Sequence, residues 1–119
     1  MAYVDGFLIP VPKKNLKAYQ QLSRKAGKVW REHGALDYKE CVGDDMNIKG
    51  VAPFAKTVGA KAGEAVVFAF IVYKSRAHRD RVNKKVMKDP RLAADMNQKS
   101  MPFDVKRMLV GGFKVFVDE

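Results

Sequence analysis

The sequence predicts an α+β fold, an antiparallel sheet with helices packed on one face, and three observations point to it. The run AVVFAFIVY, Ala65 to Tyr73, is apolar on both faces of any strand it could form, so it asks for protein cover on both sides. Two stretches, one from Lys13 and one after Ser75, place apolar residues at the three- and four-residue spacings of helices. The elements follow one another as β-α-β-β-α-β, the split βαβ arrangement. At 119 residues the chain reads as a single domain, residues 1–119, able to bury one modest core.

Tyr3 to Ile9 reads as the first strand, apolar on both faces, with Gly6 inside it and Pro10 and Pro12 ending it. From Lys13 the period changes. Leu16, Tyr19, Leu22, Ala26, Val29, Trp30 and His33 fall on one face of a long helix, and lysines and arginines fill the other. Gly34 follows as the left-handed cap that ends such helices. Ala35 to Val42 reads as a second, half-exposed strand with Leu36, Tyr38, Glu40 and Val42 on one face.

Residues 43–63 carry four glycines and no clean period; connections of that length are usually functional or packed against a partner. Ala65 to Tyr73 is the central strand. Ser75 caps a second helix whose apolar residues Val82 and Val86 share a face with His78, and Asp89-Pro90 ends it. The last strand is expected from about Arg107 to Val117, with Gly111-Gly112 marking a bulge or a close backbone approach.

This order is the ferredoxin-like topology, with both helices on one face of the sheet. The other face is then bare, yet the third strand is apolar on both sides. Two such sheets packed face to face make a dimeric α/β barrel and remove a patch that a soluble monomer seldom tolerates.

Lys and Arg number 23 against 13 Asp and Glu, a formal net charge of +10, which suits a polyanionic partner or simply a basic protein. The single cysteine, Cys41, allows no internal disulfide and fits a reducing compartment. The opening MAYVDGFLIP lacks a basic region followed by an uninterrupted apolar one, and no apolar run reaches membrane-spanning length. The protein is expected in the cytoplasm, away from membranes.

Among single residues, Asp5 stands out as a carboxylate within a short strand, between Tyr3 and Phe7, where it must find a partner or shift its pKa. It lies at an exposed strand edge, pairs with a basic side chain across a dimer, or does chemistry. His33, at the end of the first helix, suits the helix C-terminal dipole, or a base or ligand facing a pocket. His78 sits on the second helix's apolar stripe. Two histidines without Cys-x-x-Cys or His-x-x-x-His spacing make no metal site, so neither metal nor cofactor is expected. Asp37, Glu40, Asp44 and Asp45 show no spacing diagnostic of an acid/base pair. Trp30, Phe68, Phe70, Phe113 and Phe116 read as core or interface anchors, or as walls of a small apolar pocket. Arg81, Lys84, Lys85 and Lys88 form an outward ridge able to bind phosphates, or only a solvated helix face. No RNP1-type motif accompanies the ridge, and Gly59-Ala-Lys-Ala-Gly63 lacks the ending of a phosphate loop, so nucleic acid is the weakest partner reading.

The segments YVDGFLIPVPKKNLKAY, AGKVWREHGALDYKECVGDD, VFAFIVYKSRAHRDRVNKKVMKDPR and MPFDVKRMLVGGFKVFVD cover most of the chain outside the 50s. They resemble the YbaA-like family, a bacterial family of unknown function grouped with dimeric α/β-barrel proteins. The resemblance implies the fold and the homodimer, and no catalytic residue. The wider superfamily of similar fold includes monooxygenases and muconolactone-isomerase-like enzymes. None of their motifs maps onto numbered positions here, so a cofactor-poor monooxygenase or isomerase is an alternative by fold analogy alone.

The reading is a small homodimer, joined through the open sheet face, that binds a small organic ligand between the first helix and the sheet. Tyr3, Asp5, Trp30, His33 and His78 are the expected pocket residues. RNA binding through the basic second helix is the remaining alternative.

Overall fold

The computed structural model describes residues 1–95 and 101–119. Four strands, β1 (Tyr3–Pro12), β2 (Asp37–Val42), β3 (Glu64–Tyr73) and β4 (Leu109–Lys114), form one sheet in the order β2-β3-β1-β4. Every neighbouring pair is antiparallel. The helices are α1 (Leu16–Glu32), α2 (Phe54–Val58), α3 (Arg76–Met87) and α4 (Pro90–Ala93).

β1 and β3 pair along their whole length, from Tyr3 opposite Tyr73 to Pro12 opposite Glu64, and that central pair carries the core. Their odd-numbered side chains face the helices. Tyr3, Ile71 and Tyr73 pack with Val29 of α1, Val82 and Val86 of α3, and Leu92 of α4. Farther along, Ile9, Val11 and Val67 pack with Tyr19 of α1. Val29, Val82 and Val86 are fully buried, and each gains roughly 1.5–3 kcal/mol of transfer free energy before entropy is counted.

The alternate residues Val4, Leu8, Phe68, Phe70, Leu109 and Phe113 lie on the opposite face. Phe68, Leu109 and Phe113 are 45 %, 46 % and 61 % exposed there. The molecule measures 39 × 38 × 20 Å, and 20 Å is the thickness of one sheet and one helix layer at about 10 Å each. The long apolar strand read from the sequence is therefore central, covered by helices on one face; on the other, Val66 is buried beside Pro10 at one end, while among the described residues Phe68 stays exposed.

Several boundaries differ from the sequence expectation. β1 runs through Pro10 and Pro12 instead of ending before them. The Lys13 N–H donates to the Gly63 carbonyl at 2.8 Å, so odd-numbered residues turn their N–H groups toward β3. Even-numbered Pro10 and Pro12 face the other side, where β4 has already ended opposite Leu8, and no ladder bond is lost. β2 starts at Asp37, with Ala35 buried in the turn before it. β4 starts at Leu109, later than expected, because residues 105–107 form a 3-10 turn, and it ends at Lys114 instead of Val117.

Gly111 and Gly112 sit in an unbroken register, so no bulge is present within β4. They serve close approach instead. A Cβ on Gly112 would stand 2.9 Å from the Tyr3 ring, and the Phe113 ring lies over Gly6 and Gly111. The 43–63 connection holds α2, whose Val58 is buried. Two helix-end signals act as the sequence suggests: Gly34, at φ 117°, follows α1, and the Ser75 hydroxyl accepts the His78 N–H at 3.0 Å to cap α3.

Candidate functional site

Between α1 and the sheet lies a cavity of about 260 Å³. Phe7, Ala69 and Ile71 form its floor, Leu22, Ala26 and Trp30 of α1 its roof, and Leu92, Phe103 and Met108 close it from the side. The walls are aromatic and aliphatic because the inward stripe of α1 meets the odd-numbered face of β1 and β3. The Tyr19 and Phe103 rings meet edge to face, 5.5 Å between centroids, and Trp30 packs beside Tyr38 at 6.2 Å.

One polar constellation borders this cavity. Tyr19 of α1 and Tyr38 of β2 both donate their hydroxyl hydrogens to Glu40, at 2.6 Å to Oε1 and 2.7 Å to Oε2. Burial, reinforced by the Glu40 carboxylate, pushes both phenols well above their ordinary pKa, so both remain protonated donors. Gly27 makes the arrangement fit, because it lets α1 settle against the Tyr38 ring. Other polar groups nearby are also paired. Trp30 Nε1 donates to Asn83 Oδ1 at 3.1 Å, an oxygen that also accepts the Tyr73 hydroxyl at 3.2 Å. The Ser23 hydroxyl donates to the Gln20 carbonyl.

Of the residues expected to line a pocket, Trp30 does, whereas Tyr3, Asp5, His33 and His78 lie outside the cavity wall. Asp5 is buried beneath α3 and accepts a 2.6 Å hydrogen bond from Arg79, whose guanidinium stands 5.0 Å from the Tyr3 ring centroid. Burial raises the Asp5 carboxyl above its ordinary pKa while Arg79 pulls it back down. The basic partner foreseen for Asp5 thus comes from its own chain.

His33 Nε2 donates to Asp89 at 2.8 Å. Arg91 grips the same carboxylate, and with His33 it holds Asp89 far below the usual carboxylate range. His78 Nδ1 accepts the Lys74 N–H at 3.0 Å, and burial plus the cations Lys74, Arg81 and Lys85 lower its pKa.

Arg81, Lys84 and Lys85 of α3 and Lys88 just after it are exposed, whereas Val82 and Val86 of the same helix are buried. Cys41 is exposed on β2. Among the described residues no three of His, Cys, Asp and Glu gather closely enough to hold a metal, and no helix is long and apolar enough to cross a membrane.

Glu40 was visible in the sequence only as one acid among several. The available signal was joint: Tyr38 and Glu40 share a face of β2, and Tyr19 lies on the inward stripe of α1. Two hydroxyl donors aimed at one inward acid are a constellation, but only the α1–β2 packing brings them together.

A family model described as "Protein of unknown function (DUF1428)" matches residues 2–105. The chain is 43 % identical over 119 residues to "Uncharacterized protein YbaA" of Escherichia coli strain K12, covering 100 % of both chains. The protein of the same description from Shigella flexneri matches equally, at 43 % over 119 residues and 100 % of both chains. Among solved structures, "De novo designed protein Foldit4" superposes with a TM-score of 0.51 at 11 % identity, covering 97 % of this chain and 99 % of that one. That likeness concerns the fold alone.

Proposed function

The chain belongs to the DUF1428 family of proteins of unknown function, and we propose that it acts as a homodimeric binding protein for a small, largely apolar organic molecule held between α1 and the sheet. The observation that carries the reading is the half-open, aromatic-lined cavity of about 260 Å³ with the Tyr19–Glu40–Tyr38 constellation at its edge. An apolar hollow left between a helix and a sheet costs packing energy unless something fills it.

The strand order β2-β3-β1-β4, with α1 and α3 between successive strands, supports a single-domain ferredoxin-like βαββαβ fold. The bare sheet face supports the dimer. Its side chains are mainly Val, Leu and Phe, with Asp37, Lys39 and Cys41 on the β2 edge and Glu64, bound by Arg107, at the end of β3, so a second copy offers a matching apolar surface. The uncovered apolar surface extends to Phe54 of α2, 54 % exposed, which borders a hollow with Leu8 and Phe68. The exposed single thiol fits a reducing, cytoplasmic setting.

The other readings have less support. An RNA platform needs aromatics and phosphate-binding cations on one surface, whereas the exposed phenylalanines and the basic ridge of α3 belong to opposite sides of the sheet. For an enzyme by fold analogy, Asp5 is tied into an ion pair with Arg79 and His33 is hydrogen-bonded to Asp89, both away from the cavity. Thermal melting against a broad panel of small organic molecules tests the binding reading. A ligand-dependent rise in Tm is expected, and a flat response across the panel would remove it.

A further inference from the structure

Among the described residues, the side chains at the cavity's polar edge have acceptors to offer and no free donor. The hydroxyl hydrogens of Tyr19 and Tyr38 are both spent on Glu40, the Ser23 hydroxyl on the Gln20 carbonyl, and the Trp30 N–H on Asn83. What remains open is the spare lone pairs of two phenol oxygens and of the Glu40 carboxylate, each oxygen of which has used one. The charges agree with the donor count. In a chain with 23 Lys and Arg, the described residues lining the cavity include two carboxylates, Glu40 and Asp95, and no Lys, Arg or His.

Three cations stand near these carboxylates without lining the cavity itself: Lys25 pairs with Asp95 at 2.7 Å, and Arg24 and Lys17 each line a neighbouring hollow that Glu40 also borders.

We infer that the ligand is an apolar molecule carrying a hydrogen-bond donor, above all a protonated amine, whose donor meets Glu40 while its body fills the aromatic hollow. This rests on the binding reading above and specifies its chemistry. An anion would meet a carboxylate with no compensating donor, and an acceptor-only group would leave lone pairs facing lone pairs. An ammonium makes charge-assisted hydrogen bonds to Glu40 and also gains from the faces of Trp30 and Tyr38. The carboxylate is held by two hydroxyls, so its position is set before a ligand arrives, and less order remains to be imposed on binding.

The test uses four probes sharing one phenylalkyl body, 2-phenylethylamine, 2-phenylethanol, its methyl ether and 3-phenylpropionate, each titrated by calorimetry into the full chain. The amine is expected to bind at least about tenfold more tightly than the ether, a difference of about 1.4 kcal/mol, with the alcohol between them and the propionate weakest. Glu40→Gln is expected to bring the amine to the level of the alcohol. Should that variant fold poorly by circular dichroism, Tyr19→Phe, which frees one carboxylate lone pair, keeps the preference for the amine testable. Equal binding of all four probes, or tightest binding of the propionate, overturns the donor inference and leaves the cavity reading standing. Binding of none removes both.

Discussion

Gly27 of α1 lies against the Tyr38 ring of β2, so close that a Cβ on Gly27 would stand 2.8 Å from ring atom Cδ1. That contact sets the distance between helix and edge strand, and with it the reach of Tyr19 to Glu40. Alanine at this position gains about 1 kcal/mol of helix propensity but overpacks a buried contact at a cost of about 1–3 kcal/mol. Gly27→Ala is therefore expected to lose up to about 2 kcal/mol in urea unfolding. A gain of about 1 kcal/mol would show that the contact is slack.

Asp5 and Arg79 join the first strand to α3, and removing the arginine leaves a carboxylate in a buried site. Arg79→Met is expected to destabilise by about 3 kcal/mol, the lower end for breaking a buried pair because Arg79 retains some solvent contact. Asp5→Asn in that background should recover part of the loss. If the two changes simply add, the pair is not coupled, and a separate task for Asp5 returns to consideration.

Acid should unfold the protein partly through Glu64. Arg107 binds both of its carboxylate oxygens, at 2.7 and 2.8 Å, and holds its pKa at about 2 against an ordinary 4.5. In the interval between those values the unfolded chain binds the extra proton. Stability from this group is thus complete above 4.5 and is lost as pH falls toward 2, and Asp89, also lowered, acts in the same direction. Arg107→Gln should flatten the dependence of Tm on pH across that interval. An unchanged slope would mean that the pair does not form in solution.

The ridge of Arg81, Lys84, Lys85 and Lys88 points away from both the cavity and the bare sheet face. Reversing Lys84, Lys85 and Lys88 to glutamate should leave Tm within about 1 °C, since exposed substitutions cost little. In filter binding at physiological salt, wild type and triple variant should retain single-stranded RNA equally poorly. Tight retention by the wild type that vanishes on reversal would restore the nucleic-acid reading.

Local sequence signals marked the elements well where each acted alone. The apolar run of β3, the stripe of α1, Gly34 and Ser75 needed no tertiary knowledge. The end of β1 was misread because Pro10 and Pro12 break a strand only where their missing N–H faces a partner, which depends on where β4 ends. The ligand candidates Asp5, His33 and His78 were legible as unusual, but their partners Arg79, Asp89 and Lys74 had to be seen in space. The Tyr19–Glu40–Tyr38 constellation spans two elements and needed Gly27 at their crossing, a residue that reads as an unremarkable break in helix propensity.

The mass of the native protein in solution, measured by light scattering at low and at moderate salt, bears most directly on the central claim. A dimer at both ionic strengths is expected, because the face offered for pairing is Phe68, Phe70, Leu109 and Phe113 and owes little to charge. A monomer at both would leave that face uncovered and contradict the barrel.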